Sequence, residues 1–138
     1  KSSGLEAFLP EPLSGWSADA ATSQAAGSAM MGGGISAERQ YTKDGSSVRI
    51  QIMADSPMLQ GVMMMMSNPM FATSDGGKME RIGKQRALVK FDPNDRSGEI
   101  QIIVANRFMV TVEGSDVTDN ELKEYAGAID YDKMAQLP

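Results

Sequence analysis

Six of the chain's 12 methionines fall between Met58 and Met70, in the stretch MLQGVMMMMSNPM. Thioethers are soft ligands that favour Cu(I), and a helix places residues three and four apart on one side. Met63, Met66 and Met70 are therefore the candidate metal ligands. The same residue type has two other uses. Its unbranched, polarisable side chain fills irregular gaps in a core, and left exposed it makes an adaptable apolar contact surface. The candidates for such a surface are Met64, Met70 and Phe71, joined by Met30 and Met31.

Other chemistry is sparse. With no Cys and no His, the chain lacks thiol nucleophiles, disulfides, thiolate zinc sites and the usual general base. Paired carboxylates could still act as acid and base, as in glycosidases, but those enzymes line a deep cleft with sugar-stacking aromatics, and this chain has eight aromatic residues in all. The segment DPNDRSGE (92–99) begins like a calcium loop. An EF-hand, however, requires an acid or amide, a Gly and a Glu at its fifth, sixth and twelfth positions, where Arg96, Ser97 and Ile103 stand, so the segment reads as a turn. Glycines 32–34 and 76–77 lack the flanking residues of a phosphate loop. Arg81, Lys84, Arg86 and Lys90 form a basic cluster, read as a solvated sheet edge guarded by charge, with an anionic ligand or lipid headgroup as the functional alternative.

The balance of 13 basic and 18 acidic residues, a net charge of −5, gives no broad surface for neutralising phosphates, so nucleic acid is not an expected partner. No stretch of 18 or more apolar residues is present to span a membrane. The chain opens on Lys1, as a processed product would, and a signal peptide or lipid anchor is the expected missing leader. Its 138 residues suit one domain that buries a core without disulfide or zinc.

The elements that would position these residues follow from periodicity. Ser56 as N-cap and Pro57 at the first turn start a helix, and Asn68 with Pro69 stops it. At ~100° per residue, Met58, Leu59, Val62, Met63, Met65 and Met66 share an arc of roughly 160°, leaving Met64 outside it. LEAFLPEPLSGW reads as a short edge strand, and residues 17–34 as an Ala/Ser/Gly-rich loop or a short helix over Ala20–Met31.

ISAERQYTK and SVRIQIMA form a hairpin around Asp44 and Gly45, with Ile35, Ala37, Arg39 and Tyr41 facing Val48, Ile50 and Ile52. MERI and RALVKF pair across Gly83, with Ala87, Val89 and Phe91 inward. GEIQIIVA and FMVTVEG pair across Asn106 and Arg107, with Ile100, Ile102 and Val104 facing Phe108, Val110 and Val112. A capping box at Thr118 and Glu121, stapled by Val117 and Leu122, starts a last helix. Its buried stripe is Leu122, Tyr125, Ala126 and Ile129, and Asp130 caps a further turn carrying Met134 and Leu137.

This order predicts an α+β fold, a single antiparallel β-sheet with helices packed on one face. The entry LPEPLSGW, the hairpin YTKDGSSVRIQI, the pair RIGKQRALVKF and the hairpin GEIQIIVANRFMVTVEG before the last helix resemble, in their order, the PsbP-like extrinsic photosystem proteins and related small bacterial secreted proteins and lipoproteins. That resemblance covers most of the chain. It implies a non-enzymatic, periplasmic or secreted domain that docks on a partner, and it carries over no metal- or photosystem-binding residue. The expected function is thus a binding module without cofactor, for a protein or a small apolar ligand. A Met-based Cu(I) carrier is the alternative and a carboxylate hydrolase the third.

Overall fold

A computed structural model of the chain describes residues 5–24, 35–54, 58–68, 70 and 77–137. Eight strands form one antiparallel sheet: β1 Ser17–Ala18, β2 Thr22–Gln24, β3 Ile35–Lys43, β4 Ser46–Ala54, β5 Lys78–Ile82, β6 Gln85–Asp92, β7 Ser97–Val104 and β8 Phe108–Ser115. Their order is β1-β3-β4-β8-β7-β6-β5, with β2 also on β3. Among the described residues three helices accompany it, α1 Met58–Ser67, α2 Asp119–Gly127 and α3 Tyr131–Ala135. The fold is α+β, as the periodicity predicts.

The hairpins form where the turn chemistry places them. Lys43 pairs with Ser46 across Asp44 and Gly45, both at positive φ, the geometry a two-residue hairpin needs to match strand twist. Between β7 and β8, Ala105 and Asn106 take the same left-handed conformation, and Arg107 N–H closes the turn on Val104 C=O at 3.0 Å. In the β6–β7 loop, Asp92 Oδ1 accepts from the amides of Asn94 and Asp95, so DPNDRSG is a turn held by its own side chain.

The main core lies on one sheet face. Val48, Ile50, Ile52, Ile100, Ile102, Val104, Phe108, Val110 and Val112 are buried there against Leu122, Tyr125, Ala126, Ile129 and Met134 of the C-terminal helices. Thr118 Oγ1 accepts from Glu121 N–H at 3.1 Å while Glu121 Oε1 accepts from Thr118 N–H at 2.9 Å, completing the capping box, and Asp130 Oδ1 accepts from Lys133 N–H at the start of α3.

Three expectations are corrected. The LEAFLPEPLSGW segment is not an edge strand: Leu5–Phe8 is a 3-10 turn and strand pairing begins only at Ser17. Pro10 and Pro12 have no N–H to give a ladder. Instead Tyr41 Oη donates to Pro10 C=O at 2.6 Å and Leu13 N–H donates to Tyr125 Oη at 3.1 Å. Trp16 then packs edge-on against Tyr125, whose ring lies 4.6 Å from that of Tyr41. The segment after it carries β1 and β2 rather than helix as far as Gln24, and residues 25–34 lie outside the described residues. Finally, the helices occupy both sheet faces, because α1 packs on the face opposite α2 and α3.

Gly114 lets α2 dock directly on β8. A Cβ there would lie 2.7 Å from Val117 Cγ2 and 2.8 Å from Leu122 Cδ2, the two residues of the hydrophobic staple. Gly114→Ala is expected to destabilise the fold by about 1–3 kcal/mol, the usual cost of overpacking a close contact, measured by urea unfolding. Unchanged stability would show that the staple can shift freely.

Candidate functional site

The seat of α1 is made by residues on the outward phase of the central strands. Side chains alternate between faces along a strand, so Met53, Met109, Ile103 and Leu88 stand opposite Ile52, Val110, Ile102 and Ala87. Leu59 is buried with Met53 and Met109, against which Val62, Met63 and Ile103 pack. Met66 is buried on Leu88, with Met79, Val62 and Ile103 around it. The 10 residues of α1 thus bind the sheet by one apolar stripe. Ser67 Oγ donates to Met64 C=O, one of the carbonyls the end of a helix leaves free, and Asn68 Oδ1 accepts from Met70 N–H in an Asx turn that follows. Ser56 and Pro57, the expected start, lie outside the described residues.

That stripe is narrower than the predicted arc. Met64 is 73% exposed, Met70 82% and Met65 38%; Met65, expected inside the arc, joins neither of the clusters that hold α1 to the sheet. Among the described residues, Met64 and Met65 on α1 and Met70 beyond its end are thus the exposed thioethers, called the ridge below. Phe71, Met30 and Met31, the other expected members, lie outside the described residues. Of the three candidate copper ligands, Met63, half-buried on the Met53–Met109 cluster, and Met66, buried on Leu88, line one cavity, while Met70 faces solvent.

Beside the last turn of α1 is a cavity of about 440 Å³. Met63, Met66 and Ile103 give it an apolar floor, while Lys84, Arg86 and Asn106 line it with polar groups. Arg86 Nη2 donates to Met66 C=O at 3.2 Å, satisfying one of the carbonyls a helix end leaves without an internal partner. The basic cluster is therefore divided. Arg81 stands opposite Arg86 in the β5–β6 register, Lys84 is in the turn between them, and Lys90 belongs elsewhere.

Lys90 ends a charged row across the uncovered part of the same face. The register aligns Gln40, Arg49, Glu113, Glu99 and Lys90 on successive strands, and at ~4.8 Å per strand the charged part spans roughly 14 Å. The row floors an open groove of about 840 Å³ that Ser47, Ser97, Ser115 and Phe91 also line. Arg49 Nη2 lies 2.6 Å from Glu113 Oε1. Glu99 and Glu113 are directly opposite, an unfavourable cross-strand pairing. Partial burial, followed by the Glu113 charge, pushes the Glu99 carboxyl above its ordinary value of 4.5, opposed by Lys90 and by a hydrogen bond with Gln101.

Two pairs of acids meet among the described residues, and each has a cation on it: Arg49 on Glu113 here, and Lys123 between Glu80 and Asp119. Among the described residues no group of three or more acids gathers as a metal site, and no helix is long and apolar enough to cross a membrane. Neither the groove nor the cavity was anticipated. Glu99 opposite Glu113 could have been read from the β7–β8 hairpin, but Arg49 reaches them only through the non-local β4–β8 pairing.

Compared with protein-family models, curated proteins and solved structures, the chain gives no significant match to any.

Because Glu99 holds its proton more tightly folded than unfolded, the native state binds more protons through its titration, and stability falls as pH rises from below 4.5 through the folded value. Glu99→Gln is expected to raise stability at pH 7 by on the order of 0.5 kcal/mol and to lose that advantage near pH 4. Thermal melts at both pH values measure it, and a variant no more stable at neutral pH would show that the row carries no net repulsion.

Proposed function

We propose that the protein is a non-catalytic, exported binding module in which α1 is the contact element, taking an apolar partner or ligand. The observation that carries this is the exposure of Met64 and Met65 on a helix whose opposite stripe holds the sheet, with Met70 exposed just beyond its end. Flexible thioethers mould to varied apolar shapes at little rotamer strain, and large exposed apolar side chains grouped together mark contact surfaces. The absence of Cys and His and the pairing of Glu113 with Arg49 support a role without catalysis. A periplasmic or secreted location, and docking as the mode of action, rest on the PsbP-like order of elements.

A Cu(I) carrier is the second reading, favoured by one observation: Met63 and Met66 line the same cavity. Lys84 and Arg86 on that cavity count against it, since a cation would enter beside two fixed positive charges.

Met64→Gln/Met70→Gln is expected to reduce binding of the neutral dye Nile red at least tenfold while leaving the melting temperature nearly unchanged, because exposed substitutions shift stability by about 0.5 kcal/mol or less. Unaltered dye binding would remove the ridge as a contact surface. If the copper reading holds, the wild type takes up Cu(I) stoichiometrically under reducing conditions and Met63→Leu/Met66→Leu/Met70→Leu abolishes it. Uptake that survives the triple substitution excludes it.

A further inference from the structure

The cavity at the end of α1 differs in character from both the ridge and the groove. Its floor is Met63, Met66 and Ile103, and its cations are Lys84 and Arg86. At about 440 Å³ it falls within the ~300–1,000 Å³ of small-molecule sites. The chain carries a net charge of −5, yet none of the described residues lining this cavity is acidic. Arg81, opposite Arg86 in the register, adds a third positive charge nearby. An apolar floor beside a cationic rim is the complement of one kind of molecule, a hydrocarbon tail ending in an anion.

The C-terminal end of a helix bears partial negative charge that would repel such a head. Here Arg86 is bonded to the Met66 carbonyl, which offsets that charge where the anion would sit. A guanidinium also matches a carboxylate in planar, two-pronged fashion, and thioethers adapt to a flexible chain.

We propose that this cavity binds a medium-chain fatty-acid carboxylate, its tail on Met63, Met66 and Ile103 and its head against Lys84 and Arg86. The proposal rests on α1 as the binding element, but it uses the cavity rather than the exposed ridge. A single amphiphile, not a bilayer surface, is the occupant, because the lining comes from α1 and the β5–β6 and β7–β8 turns around a space of about 440 Å³, the size of a small-molecule site.

Calorimetric titration of the full chain with sodium decanoate, kept below micelle formation, tests it. One molar equivalent is expected to bind, with affinity rising about fourfold per methylene from hexanoate to decanoate, the factor for burying each CH₂. Lys84→Glu should weaken decanoate at least fivefold, while decanol binds wild type and variant alike. Higher salt should weaken decanoate alone, since exposed charges are screened. Ser67→Trp, at an exposed helix position on the cavity mouth, should block binding with an unchanged melting temperature.

Three outcomes would overturn the proposal: no decanoate binding, equal binding of decanoate and decyltrimethylammonium, or sedimentation with phosphatidylglycerol vesicles without binding of the free acid. Met64→Gln/Met70→Gln should retain decanoate binding, so loss of the ridge's function and loss of the cavity's function are read separately.

Discussion

The arrangement of this protein depends on a local departure from the two-residue period of its central strands. Where one sheet face is buried, apolar and polar side chains alternate. Here β4, β6, β7 and β8 each contain three successive apolar residues: Ile52 to Ala54, Ala87 to Val89, Ile102 to Val104 and Phe108 to Val110. A strand with successive apolar side chains must bury both faces, and the register brings these triplets to one end of the sheet. That end accepts a helix on each side. At the other end alternation resumes, with Arg49, Glu99 and Glu113 outward, and the second face stays wet.

The two faces are consequently built to different standards. On the first, the Trp16–Tyr41–Tyr125 cluster ties the N-terminal segment, β3 and α2 together, and burial drives the Tyr41 and Tyr125 hydroxyls to higher pKa than a free phenol. Both hydroxyls are hydrogen-bonded to backbone, which is how a buried phenol avoids the cost of desolvation. Among the described residues no buried side-chain polar atom is left unpaired. On the second face α1 holds the sheet through a few thioethers and Leu59, and much of its circumference remains in water. Helix stability comes mostly from tertiary packing, so α1 depends on that one stripe for its attachment.

How much of this was legible in the residues depends on the range of the interactions. The hairpin at Asp44–Gly45, the capping box at Thr118 and the stripe of α2 are local, encoded within a dozen residues, and the structure has them where the sequence places them, while the reversal expected at Asn106 and Arg107 has its left-handed residues one position earlier, at Ala105 and Asn106. The order of strands is not local. Nothing in β4 alone says that it pairs with β8, and so neither the Arg49–Glu113–Glu99–Lys90 row nor the seat of α1 could be assembled in advance. One signal was nevertheless present: Met53, Leu88, Ile103 and Met109 occupy outward positions of otherwise alternating strands, which is incompatible with helices on one face only. The N-terminal segment was missed for a different reason. Alternation there is mimicked by prolines, which favour extended backbone but have no hydrogen to share with a neighbouring strand.

The choice of methionine for α1 follows from the same geometry. A helix seated across two triplet-bearing hairpins meets a surface of mixed Ile, Leu and Met side chains, and a β-branched residue with one favoured rotamer fits such ground poorly. Methionine settles into it at Met63 and Met66 and also helps form helix, which three successive valines would not. The same flexibility operates on the outer side. Leucine at Met64 and Met70 would be equally greasy but less able to remodel, so a helix with methionine on both flanks is suited to packing inward while staying compliant outward. With Arg86 of β6 bonded to the Met66 carbonyl, the apolar residues Met63 and Met66 of α1 and the cations Lys84 and Arg86 meet at one end of the helix, where the cavity lies. The chemistry available there is accordingly that of recognition: shape without rigidity, and a positive charge that gives the approach a direction.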